Sequence, residues 1–112
     1  MGDKVVFHIH DEEKALTAIS NINNLINDPG EENVQIELLM NGTGVKIMMK
    51  EGEHRHRLEY LAEKGVDLKV CSNSLEGFKI SEKELLDEAQ SVPAGVTELV
   101  KKQDDGWSYI KI

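Results

Sequence analysis

The sequence predicts an α/β protein: a three-layer, doubly wound, mostly parallel five-stranded sheet of flavodoxin-like order 2-1-3-4-5. Three observations carry this expectation. Five short strand-like runs are separated by segments of helical spacing, and that alternation specifies a parallel sheet with helices on both faces. The first run, Lys4–His10 (KVVFHIH), is nearly continuous in β-branched and aromatic residues and suits a central strand buried on both sides. The last, Trp107–Ile112, alternates and suits an edge.

The elements follow in order. Asp11 offers an N-cap, and Ala15, Ala18, Ile19, Ile22, Leu25 and Ile26 recur at helical spacing until Asp28-Pro29-Gly30 turns the chain. Asn33–Met40 (NVQIELLM) is the second strand, closed by Asn41-Gly42-Thr43-Gly44. The segment VKIMMKEGEH is ambiguous, a short helix followed by a loop around Gly52. Leu58, Leu61 and Ala62 mark a helix, with Gly65 placed to end it in the left-handed conformation. Val66–Cys71 is the third strand, and a brief helix starts at Ser72 or Asn73. Ser81-Glu82-Lys83-Glu84 reads as a capping box opening a helix that carries Leu85, Leu86 and Ala89 on one face. A short strand around Gln90–Val92 runs into Pro93-Ala94-Gly95. A last helix follows with Val96, Leu99 and Val100, ending at Lys101 and Lys102 as its dipole favours.

At 112 residues the chain is read as one domain, 1–112, around one core. Its net charge of −8 argues against nucleic acid, whose phosphates require clustered Lys and Arg. No apolar run approaches the roughly 18–20 residues of a membrane span. The opening MGDKVVFHIHDEE lacks the basic and apolar regions of a signal peptide. A single cysteine excludes an internal disulfide and fits a reducing cytoplasm. No cofactor is expected.

Ligand crevices in doubly wound sheets open beyond the carboxyl ends of the strands, where the winding reverses. In the expected order that point lies between strands 1 and 3, which converges His8 and His10 with Cys71. The residues alone leave Cys71 open between a small buried hydrophobe and a reactive thiol. A helix N-terminus just after it would stabilise a thiolate. With no C-x-x-C, a dithiol cycle within one chain is excluded, and with no Arg after Arg57 a phosphate-clamping phosphatase is disfavoured. His8 and His10 share a strand face, which suits a metal less well than one core and one crevice histidine. His54 and His56 read as a solvated face. Asn41-Gly42-Thr43-Gly44 lacks the Lys-Ser/Thr of a P-loop and is favoured as a plain turn. Pro93-Ala94-Gly95 is a tight turn whose N–H groups also suit a ligand.

The Asn41-Gly42 turn, Gly65-Val66 before strand 3, Cys71-Ser-Asn-Ser-Leu75, Val92-Pro-Ala-Gly-Val96 and Gln103-Asp-Asp-Gly-Trp-Ser-Tyr-Ile110 occur in one order along the chain. Together they resemble the DsrE/DsrF-like family of small sulfur-metabolism proteins, closest to its stand-alone branch. The resemblance implies a parallel α/β sheet, homo-oligomers (trimers or hexamers), and a cysteine after strand 3 that carries sulfur as a persulfide. That role maps onto Cys71. The expected function is therefore a cytoplasmic sulfur carrier, with a sulfur donor and acceptor protein as partners. His10 and Asn73 are expected to orient the thiol, with His8, Asn41, Gly42, Ser74, Pro93 and Gly95 lining the crevice. The alternatives are a non-enzymatic module binding a small anion there, and an oligomeric structural protein without a site. Val45, Ile47, Met48 and Met49 are expected to leave an apolar patch for self-association, most simply as a trimer. The Cys71 thiol is expected to be at least partly accessible.

Overall fold

The computed structural model describes residues 3–31 and 33–112. Five strands, β1 (Lys4–Ile9), β2 (Gln35–Met40), β3 (Asp67–Cys71), β4 (Ala89–Val92) and β5 (Ser108–Lys111), form one sheet. Every pairing is parallel. Four α-helices connect them: α1 (Ala15–Ile26), α2 (Arg55–Glu63), α3 (Ser72–Gly77) and α4 (Gly95–Asp104). The expected α/β class, with helices on both faces, is thus present.

The strand order is β4-β3-β2-β1-β5. It keeps a single reversal of winding, as a flavodoxin-like sheet does, but β2 occupies the place between β1 and β3. Strand β1 is interior, paired on both sides, while β2 is central; β5 is an edge, as its alternation indicates. The chain steps from β1 to β4 in one direction and then returns to the far side of β1. Right-handed crossovers require the returning helix to lie on the opposite face. Packing agrees. Ala15, Ala18, Ile19 and Ile22 of α1, Leu58 and Leu61 of α2 and Leu75 of α3 join one large core with alternate residues of β1, β2 and β3. Helix α4 packs Leu99 on Val6 and Leu39 in a small second cluster with Val92 and Trp107. The reversal, and with it the crevice, therefore lies between β3 and β4 rather than between β1 and β3.

Strand parity places His8, Glu37, Cys71 and Tyr109 on the thinner, α4 side of the sheet. The thick side holds the fully buried Ile9, Ile22, Leu38, Met40, Leu58 and Leu61. Each such side chain contributes about 1.5–3 kcal/mol of burial free energy, so the thick side supports the fold and frees the other for polar groups.

Two expectations fail locally. Ser81 and Glu84 do form a reciprocal capping box, but only a three-ten turn, Glu82–Glu84, follows. Leu85 and Leu86 are both buried because the chain turns extended there. Leu85 bridges Met49, and the Leu86 N–H donates to the Met48 carbonyl at 2.9 Å. A helix would point two consecutive leucines about 100° apart, so tertiary pairing overrides the cap. The segment after Asn41-Gly42-Thr43-Gly44 is a three-ten run, Gly42–Met48, whose Val45, Ile47 and Met48 are buried in the main core. These residues close one end of the sheet within a single chain and leave no patch. The exposed large apolar residues are instead Leu16, Tyr60, Phe78, Val96, Val100, Tyr109 and Ile110.

Candidate functional site

The carboxyl ends of β1, β2 and β3 and the first turn of α4 meet at Cys71. This residue ends β3 and is the N-cap of α3, with extended backbone. The residue is 6% exposed, more enclosed than expected of an accessible thiol. It nevertheless belongs to neither apolar cluster. Burial pushes the thiol up. Against this, the Ser74 hydroxyl and the backbone N–H groups of Gly95, Ser74 and Asn73 favour the ionised sulfur, and the net result lies below the ordinary thiol range.

Two of these donors have structural reasons to be there. Helix α4 begins after Ala94, which supplies no capping side chain, so the Gly95 N–H at its start is left for Cys71. A Cβ built on Gly95 would meet the Cβ atoms of Cys71 and Asn41 at 3.4 Å and Asn41 Nδ2 at 3.5 Å. These are ordinary van der Waals distances, so the first turn of α4 lies directly against the Cys71 and Asn41 side chains. The Ser74 Oγ accepts the Gly42 N–H at 2.9 Å, which orients its own O–H toward the sulfur. Gly42 holds φ +55°, and a Cβ there would lie 2.6 Å from the His10 ring. Glycine at 42 is thus required for both backbone and space.

A second polar chain reaches the same crevice from β5. Tyr109 Oη lies 2.7 Å from His8 Nδ1, and His8 Nε2 lies 2.8 Å from Asn41 Oδ1. His10 Nδ1 also approaches Asn41 Oδ1, at 3.0 Å. Burial lowers the His8 pKa, aided by Lys111 and His10 and opposed by the Asn41 bond, so the ring is neutral near pH 7. Burial raises that of Tyr109, which keeps its proton. The network then assigns one tautomer: Tyr109 O–H donates to Nδ1, and Nε2–H donates to Asn41.

Of the candidates read from sequence, Cys71, Ser74, Gly95, Asn41, His8 and His10 come together, and Asn73 contributes its backbone N–H while its side chain is exposed. Gly42 supports the site through Ser74, and its N–H is not free for a ligand. Pro93 is exposed and has no N–H to offer. Tyr109 was missed. Its signal, alternation in SYIK placing Tyr109 and Lys111 on one face, becomes meaningful only once β5 is known to pair with β1. Among the described residues no group of three or more His, Cys, Asp or Glu side chains is arranged to hold a metal. None of the chain's helices is long and apolar enough, among those residues, to cross a membrane.

The model of the DsrE/DsrF-like family matches residues 4–112. Among solved structures, a protein of unknown function from Methanobacterium thermoautotrophicum is 34% identical, with a TM-score of 0.91 over 98% of this chain and 99% of that one. The ychN protein from E. coli is 17% identical, with a TM-score of 0.81 and full coverage of both chains (100% and 100%). A conserved protein of unknown function from Bacteroides thetaiotaomicron is 14% identical, with a TM-score of 0.73 over 98% of this chain and 95% of that one. The comparison with curated proteins gives no match.

Proposed function

Because the chain belongs to the DsrE/DsrF-like family, we propose that it is a sulfur carrier in which Cys71 holds one sulfane sulfur as a persulfide. The observation that carries this reading is the donor set around the Cys71 sulfur, which favours the ionised form of an enclosed cysteine against its burial. The thiolate attacks the outer sulfur of a donor persulfide, R–S–SH. The new S–S bond forms at Cys71 as the old one breaks, and R–S⁻ leaves and takes up the proton of the attacked S–H. An acceptor thiolate then attacks the outer sulfur of the Cys71 persulfide and returns the Cys71 thiolate. No net oxidation occurs, so no redox cofactor is needed. A reducing cytoplasm suits a single cysteine in this role, and donor and acceptor proteins are its partners.

Incubation of the native protein with a small persulfide donor is expected to add the mass of one sulfur atom, located at Cys71 by peptide mapping. Prior alkylation of the thiol blocks it. Native protein that takes up no sulfur would end this reading.

The same reading includes a homo-oligomer, most simply a trimer. Its support is the outer stripe of α4, where Val96 and Val100, one helical turn apart, are 66% and 62% exposed. Light scattering at tens of micromolar is expected to give a multiple of the 12.6 kDa chain mass. Val96→Glu with Val100→Glu is expected to yield monomers, and a native monomer would refute the assembly.

A further inference from the structure

We propose that Tyr109, His8 and Asn41 form a positioning relay that holds the Asn41 amide N–H toward the outer sulfur of a Cys71 persulfide. The inference rests on the sulfur-carrier reading and goes beyond it by separating the groups that serve the inner sulfur from the one that serves the outer.

The direction of the Asn41 amide follows from its partners. Oδ1 accepts from both His8 Nε2 and His10 Nδ1, at 2.8 and 3.0 Å. Two donors on the oxygen commit the amide nitrogen to the other side, and there Nδ2 borders Gly95, at the same spot that the Cys71 Cβ borders: a Cβ built on Gly95 would lie 3.5 Å from Nδ2 and 3.4 Å from the Cys71 Cβ. Among the described residues no acceptor meets Nδ2. The relay behind it is itself fixed. His8 is 7% exposed with both ring nitrogens engaged: Asn41 Oδ1 only accepts, so Nε2 carries the proton, and the Tyr109 O–H donates to Nδ1 and holds the ring in that tautomer. A histidine with the opposite tautomer would present a lone pair to Oδ1, and the amide would turn over.

Asn41 is absent from the donors that act on the resting thiol; those are Ser74, Gly95 and Asn73. A sulfur–sulfur bond lengthens the side chain by about 2 Å. The added sulfur extends past the inner sulfur that the α3 and α4 N–H groups hold, and the Asn41 amide, beside Gly95 at the same strand ends, is the unpaired donor there among the described residues. There one N–H of Nδ2 donates to the terminal sulfur anion. On this proposal the amide acts on the loaded state, while Ser74 and the backbone N–H groups act on the empty one.

The test loads each protein with a small persulfide donor, removes the donor, adds a fixed excess of a small thiol as sulfur acceptor, and follows loss of the added sulfur by intact mass. In parallel, the alkylation rate of the unloaded thiol is measured against pH. Asn41→Ala is expected to shorten the lifetime of the persulfide about tenfold, the worth of one hydrogen bond to a charged group. Its thiol alkylation midpoint is expected to stay where it is in the native protein. Tyr109→Phe, on the edge strand and outside the core, removes only the O–H and is expected to shorten the lifetime about threefold. It also serves alone if Asn41→Ala does not fold. Native lifetimes in the folded variants would overturn the relay, as would a midpoint shift matching the lifetime loss, which marks general damage. Failure of the native protein to load would overturn the carrier reading and the relay with it, so the two failures are distinguishable.

Discussion

Cys71→Ser is expected to take up no sulfur while keeping the native fold and assembly. Oxygen replaces sulfur at a position outside both apolar clusters, so little packing is lost. The surrounding donors still find an acceptor, because a hydroxyl oxygen has two lone pairs. The chemistry disappears because a serine hydroxyl does not ionise near neutral pH and forms no persulfide. Ser74→Ala is the graded companion. It removes the side-chain donor that most strongly lowers the Cys71 thiol, so the pH midpoint for alkylation is expected to move upward while the fold persists. It also leaves the Gly42 N–H without its 2.9 Å acceptor, a cost of about 1 kcal/mol measurable by denaturant unfolding. If Cys71 in the native protein reacted only after unfolding, or if Ser74→Ala alkylated at the native midpoint, the sulfur would not depend on these donors.

Glu37 carries the second large effect. It lies on β2, fully buried, beneath α4. Lys102 Nζ lies 3.5 Å from its Oε1, while neither carboxylate oxygen makes a hydrogen bond to the described residues. Burial and the neighbouring Glu98 carboxyl outweigh Lys102 and push its pKa from 4.5 up to about 7. The folded chain therefore keeps a proton that the unfolded chain releases. Stability from this group is complete below about pH 4.5 and is lost as pH rises through about 7. The loss is of order 3 kcal/mol at 1.36 kcal/mol per unit. Glu37→Gln, neutral at every pH, is expected to flatten this dependence and to be more stable than the native protein at about pH 8. Thermal unfolding at about pH 5 and about pH 8 checks both statements. A native melting temperature that rises across this interval would show that Lys102 wins and that Glu37 is a buried ion pair.

Much of this architecture was legible because it is written in local patterns. The apolar continuity of Val5–Ile9, the spacing of Ala15 to Ile26 and the glycine at 65, with φ +94°, announce their elements directly. Strand order is a different kind of information, since it depends on which edge each crossover finds. The expected 2-1-3-4-5 order separated β5 from β1 and thereby hid Tyr109 from His8. Cys71 was placed at the reversal of winding for a partly wrong reason: it ends β3, and the reversal lies between β3 and β4. Leu85 and Leu86 misled because a good cap says where a helix can start and nothing about how far it runs. Glu37 was legible only as an oddity in NVQIELLM. Its period-2 neighbours do not reveal that it would face Glu98 and Lys102 of a helix some sixty residues away.

The pairing of Val5 with Ser108 and of His8 with Lys111 joins the two most distant parts of the chain. Contacts of such sequence separation are slow to form, because the loop must close before they reward it. During synthesis β2, β3 and β4 can assemble on β1 while its other edge stays unpaired. That edge is apolar, with Val5, Val6, Phe7 and Ile9 all buried once the sheet is complete. Until residues 108–111 emerge, it remains a template for any other strand. Tyr109 arrives on that last strand, so the histidine on β1 acquires its phenol partner only when the edge is sealed. Completion of the sheet and completion of the polar chain are thus one event: a nascent chain whose first four strands are paired holds the cysteine without yet having Tyr109 to orient His8 and Asn41 beside it.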